Sequence, residues 1–178
     1  MQVLSRQRGV SLIEVMMAVL IFSIGLLGLA SLMVMATRSN HAAYLRTQVV
    51  FLANNMASRM SANPAGVWNG SYNSNAYPVA AASAGCGSGS ACGSAALATH
   101  DQQMWSSQLR VFLPSPKAAI SCTGVGAVGY NPTSQINYRP PYGGTCQMTI
   151  EWTETATGNQ ATQTAGAITQ NFTWSFQP

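Results

Sequence analysis

The chain has 178 residues, of which 47% are hydrophobic and only 7% charged, with a formal net charge of +4. Once a long apolar helix is set aside, that length leaves enough chain for one modest globular domain. The eight Lys and Arg residues form no basic face and no set interleaved with aromatics, which argues against nucleic-acid binding.

Residues 1–9 form a short polar leader that carries Arg6 and Arg8 and ends in Gly9, at the edge of an apolar run. From Val15 to Ala36 no residue is charged. At 1.5 Å per residue that stretch gives a helix of roughly 33 Å, enough to cross the ~30 Å hydrocarbon core of a bilayer. Glu14 sits just inside the run, where lipid makes a charge cost about 2.5–3.5 kcal/mol. A lone acid there predicts a function and a cationic partner. Cutting after Gly9 would give Val10 a free amine close to Glu14, and losing Arg6 and Arg8 would lower the net charge from +4 to about +2. Arg6 and Arg8 before the span favour a cytoplasmic N-terminus, which exports everything after it. The four cysteines then meet an oxidising compartment, where disulfides are the default. Two plainer readings compete. A secretory signal cut after Val34-Met35-Ala36 does not fit an apolar run this long, interrupted at its start by Glu14. A simple one-span anchor leaves Gly9 and Glu14 without a purpose.

The leader, Gly9, Ser11-Leu12-Ile13-Glu14 and the apolar run, in that order, resemble the type III signal of type IV pilins and related pseudopilins. The resemblance implies that prepilin peptidase cuts after Gly9 and methylates Val10, which stands where most members carry phenylalanine. It also implies that the helix packs into a filament, with Glu14 paired to the N-terminal amine of a neighbouring subunit.

Within the span, Ser23, Gly25 and Gly28 weaken helix propensity, glycine by about 1 kcal/mol each. They suit either close packing between helices or, as the resemblance implies, a stretch that extends during assembly. Beyond residue 36 the helix is predicted to continue as an amphipathic one. Ala42, Leu45, Val49, Leu52, Met56 and Met60 recur at spacings of three and four, with Arg46, Gln48, Asn55 and Arg59 on other faces. Pro64 is expected to end it, with Gly66 following. The stretch 69–93 reads as a Gly/Ser/Ala/Asn surface loop.

Residues 95–113 are predicted as a short helix carrying Leu97, Met104, Trp105, Leu109 and Phe112, closed by Pro114. Residues 119–123 read as a strand, 124–144 as a long loop with Pro132, Pro140 and Pro141, and 156–167 as polar and turn-like. Cys146, Met148, Ile150 and Trp152 alternate with Gln147, Thr149, Glu151 and Thr153, a half-buried strand. Phe172, Trp174 and Phe176 alternate with Asn171, Thr173 and Ser175, a last strand with an aromatic face.

No catalytic residue, cofactor or metal is expected. His100-Asp101 beside serines lacks a nucleophile-elbow motif and an oriented base, and His41 lies on the long helix. Cys86 and Cys92 are spaced more widely than zinc ligands usually are. Four cysteines allow three pairings. Cys122 and Cys146 share strand faces with Ile120 and Met148, so they are predicted to pair across adjacent strands, which leaves Cys86–Cys92 to close a small loop.

A narrower resemblance rests on Ser23-Ile24-Gly25-Leu26-Leu27-Gly28-Leu29-Ala30 and Arg59-Met60-Ser61-Ala62-Asn63-Pro64-Ala65-Gly66. Tyr72, Asp101, Trp105, Leu109 and Leu113-Pro114 extend it. These residues look like PilV-type minor pilins. They imply a low-abundance subunit that helps initiate or cap type IV pili, partnering other minor pilins, the major pilin, an inner-membrane assembly platform and a large tip adhesin. The implied location is the bacterial inner membrane, head periplasmic, and then the pilus on the cell surface.

The expected fold class is α+β: a pilin-like long N-terminal helix on a small antiparallel sheet. The expected divisions are a leader at 1–9, a membrane or filament-core helix at 10–36, an amphipathic helix at 37–63 and a head at 64–178. A minor pseudopilin of a type II secretion system shares the N-terminal features and is the alternative. A membrane-anchored periplasmic enzyme lacks a catalytic constellation in the sequence.

Overall fold

A computed structural model describes residues 9–80, 86, 91–123, 142–155 and 167–178. The leader at 1–8, most of the predicted loop at 124–144 and most of the predicted turn at 156–167 lie outside the described residues, as do 81–85 and 87–90 of the Gly/Ser stretch. The chain divides into two compact units, Met1–His41 and Ala42–Pro178.

Helix α1 runs from Leu12 to Ala62, 51 residues. The Ser11 carbonyl accepts the first turn, from the Glu14 N–H at 3.1 Å and the Val15 N–H at 3.3 Å. Leu-, Met- and Ala-rich sequence carries the helix through Gly25 and Gly28, since these residues lose little rotamer freedom in a helix. In the first unit its apolar side chains point outward on every side, from Val15 at 49% exposed to Leu12 at 79%. A helix that is hydrophobic all round cannot rest in water. It is long and apolar enough to cross a membrane.

In the second unit α1 buries one stripe: Leu45, Val49, Leu52, Ala53, Met56 and Met60. Ala42, predicted on that stripe, is only half-buried. The long helix stops ahead of Pro64 as expected, and the chain then restarts. A short helix, α2 (Pro64–Trp68), begins there, because proline suits a first helical turn and the Asn63 Oδ1 caps it by accepting the Gly66 N–H at 3.2 Å. Gly66 packs so closely on Asn63 that a Cβ there would lie 2.4 Å from its Nδ2.

The predicted surface loop contains a strand, β1 (Ser74–Tyr77). Its sequence has little β-propensity, and pairing orders it: Ser74 lies opposite Ile120 and Tyr77 opposite Ala118, with an irregularity between. Tyr77 is buried, its ring edge-on to Trp105 at 5.2 Å. Helix α3 (Ser94–Phe112) buries Ala98, Asp101, Trp105, Ser106 and Leu109. Met104, named among the apolar residues of this helix, is 43% exposed, since one residue's step turns it about 100° from the buried Trp105.

Strands β2 (Lys117–Thr123), β3 (Thr145–Thr155) and β4 (Ala167–Phe176) complete a four-stranded antiparallel sheet in the order β1-β2-β3-β4. One register row sets Ala118 beside Ile150 and Ile150 beside Phe172, and the next sets Ile120 beside Met148 and Met148 beside Trp174. That face meets the buried stripes of α1 and α3 in a single core. The arrangement is the α+β, pilin-like class.

Candidate functional site

The N-terminal segment is built from a non-helical Gly9 and Val10 ahead of α1. Both are exposed, Val10 to 70%. The Gly9–Val10 peptide therefore lies outside the helix, open to an enzyme. Glu14 stands in the first turn of α1, where the unsatisfied N–H groups and the helix dipole favour a carboxylate. Among the described residues nothing bonds to its side chain.

The hydroxyls within and just past the apolar run satisfy themselves on the helix backbone. Ser23 donates to the Val19 carbonyl at 2.7 Å, Ser31 to Gly28 at 2.8 Å and Thr37 to Val34 at 2.9 Å. Glu14 is thus the single acid on an otherwise lipid-compatible surface. Glu14, Ala18 and Phe22 follow one another at steps of four along one side of the helix, and Val10 adjoins them ahead of it. A Cβ at Gly25 or Gly28 would meet nothing within 4 Å, so no packing inside this chain requires those glycines.

In the second unit the residues that carried the narrower resemblance converge. Asp101, buried on α3, accepts from the Arg59 guanidinium through Oδ1 at 2.9 Å and from the Tyr72 hydroxyl through Oδ2 at 2.8 Å. Arg59 also donates from Nε to Asn55 at 2.9 Å. The Asn63 Nδ2 donates to the Tyr72 oxygen at 3.1 Å and to the Ser94 carbonyl at 2.8 Å. Trp105 donates its indole N–H to the Leu52 carbonyl at 2.9 Å.

Burial holds the phenol of Tyr72 well above its usual range. The Asn63 amide opposes that, and Asp101 reinforces it. Burial raises the Tyr77 phenol likewise, with Gln102 opposing. The network ties the end of α1 and the start of α2 to α3, and every charge in it is answered.

These residues stand out in the sequence, but their joint role does not. The signal was available: Asp101 falls on the same helical face as Ala98, Trp105 and Leu109, and Arg59 adjoins Met60. A buried acid needs a cation or donors.

His100 does not join Asp101 in any bonded pair among the described residues, and no group of three His, Cys, Asp or Glu comes together there. The sulfurs are joined as Cys86–Cys92 and Cys122–Cys146. The second bridge links residues directly opposite in the β2–β3 register.

The prokaryotic N-terminal methylation motif matches residues 4–30. This match supports a type IV pilin or pseudopilin, a structural protein rather than an enzyme, processed by prepilin peptidase and assembled with pilus components. With the apolar helix, it supports membrane anchoring followed by incorporation into a pilus. No curated protein and no solved structure matches the chain significantly.

Proposed function

We propose that the chain is a minor pilin of the PilV type, incorporated into type IV pili. There it helps initiate assembly or forms the tip complex that presents a large adhesin, serving adhesion and twitching motility. Residues 1–9 are removed by prepilin peptidase and Val10 is methylated. Residues 10–36 lie in the inner membrane and then the filament core, 37–63 run under the head, and 64–178 form the periplasmic head. Other minor pilins, the major pilin and the inner-membrane platform are its neighbours.

The observation that carries this reading is Glu14, a carboxylate without a partner among the described residues, on a helix apolar all round, beside an accessible Gly9–Val10 bond. An amine at residue 10 of an adjoining subunit would answer it, and only upon assembly. The alternative, a minor pseudopilin of a type II secretion system, shares this segment and differs in its neighbours.

The test compares Glu14→Ala with wild type by immunoblotting membrane and sheared-filament fractions, with the major pilin as control. A more apolar helix inserts at least as well, so the membrane fraction should hold while the filament fraction falls. Equal incorporation of both would show that Glu14 has no assembly role. Mass spectrometry of the same filaments identifies the neighbouring subunits and separates pilus from secretion system.

A further inference from the structure

Arg38 and His41 stand at the far end of the apolar half of α1, both exposed. Among the described residues neither takes part in an ion pair or a side-chain hydrogen bond. Three residues apart on a helix, their side chains are neighbours.

Helix geometry fixes their depth. With 15–36 filling the hydrocarbon, Arg38 lies about 3 Å and His41 about 7.5 Å past its edge, at 1.5 Å per residue. The headgroup layer adds roughly 5–7.5 Å on each side of the hydrocarbon, so Arg38 falls within it and His41 at its outer margin.

Within their own unit the one acid is Glu14, at the opposite end of the apolar run. The same stretch of helix from a second copy alongside in register would bring no acid to that level. The anion a bilayer supplies at that depth is lipid phosphate.

We propose that Arg38 and His41 bind the headgroup of an anionic phospholipid, in the leaflet on the exported side of the span. This rests on the membrane-spanning reading of α1 and not on the filament role. The planar Arg38 guanidinium takes two phosphate oxygens side by side, and a ring N–H of His41 donates to the same phosphate. An anionic lipid is favoured because a zwitterionic one carries its own cation beside the phosphate.

The experiment uses the full chain carrying Arg6→Gln and Arg8→Gln, to silence the leader, in phosphatidylcholine vesicles doped with spin-labelled phosphatidylglycerol or phosphatidylcholine. Electron paramagnetic resonance reads the motionally restricted fraction of each probe. The expected preference for phosphatidylglycerol is about two- to fivefold. It should fall towards parity when Arg38→Gln and His41→Gln are added, and in the parent when salt shortens the ~10 Å screening length of 0.1 M solution. Equal restricted fractions in the parent, or a preference untouched by the added substitutions, would overturn the proposal. Co-flotation of both proteins with the vesicles is the control. A chain that fails to float overturns the spanning reading, and the headgroup contact with it.

Discussion

Asp101 is the one acid in α3, and both of its oxygens are engaged. Replacing it with alanine strands the Arg59 guanidinium, whose side chain is only 25% exposed, and the Tyr72 hydroxyl. The expected loss of head stability is about 2–4 kcal/mol. Denaturant unfolding of Asp101→Ala beside wild type measures it, and a change below ~0.5 kcal/mol would remove Asp101 from the account of the head. Tyr72 and Tyr77 give a second prediction at this scale. Both phenols are raised above 10.0 in the folded state. The unfolded chain therefore releases those protons first, so stability is full below about pH 10 and falls as pH rises above it. Melting temperature followed from pH 8 to 11 should drop at the alkaline end, less steeply in Tyr72→Phe. A flat profile for the wild type would contradict it.

The strands and the two bridges set the next scale. β3 and β4 were legible in their alternating apolar residues, and α1 in its unbroken run followed by a spaced stripe. β1 and α2 were not, because neither exists without a partner. β1 has one buried residue in four and is fixed by β2 and by the Tyr77 hydroxyl, which donates to the Tyr72 carbonyl at 2.8 Å. α2 depends on the Asn63 cap and its bond to Ser94. Cys122–Cys146 closes a loop with a sequence separation of 24, and Cys86–Cys92 one of only 6. In the chain-entropy model the longer loop contributes about 3–4 kcal/mol and the shorter about 2–3 kcal/mol. Removing both cysteines of the β2–β3 pair should therefore lower the melting temperature more than removing Cys86 and Cys92. Non-reducing peptide mapping tests the pairing itself, and linkage of Cys86 to Cys122 or Cys146 would refute it.

For the whole molecule the decisive test of the proposed function is maturation. An exposed Gly9–Val10 bond ahead of the first helical turn predicts a mature chain that starts at Val10. Intact mass of membrane-extracted protein decides it, and a chain beginning at Met1 in cells with active prepilin peptidase would sink the reading. The order of leader, Gly9, Glu14 and apolar run is a local pattern, so the sequence alone determined this segment. The same holds for the buried stripe from Leu45 to Met60, because helical spacing decides which residues share a face. Tertiary structure alone decided that Asp101, Arg59, Tyr72 and Asn63 form one network, since Arg59 and Asp101 lie 42 positions apart. It also decided that a four-residue segment without strand character becomes the sheet's first strand. Pairing across such separations depends on which faces the core brings together, and no local propensity records that.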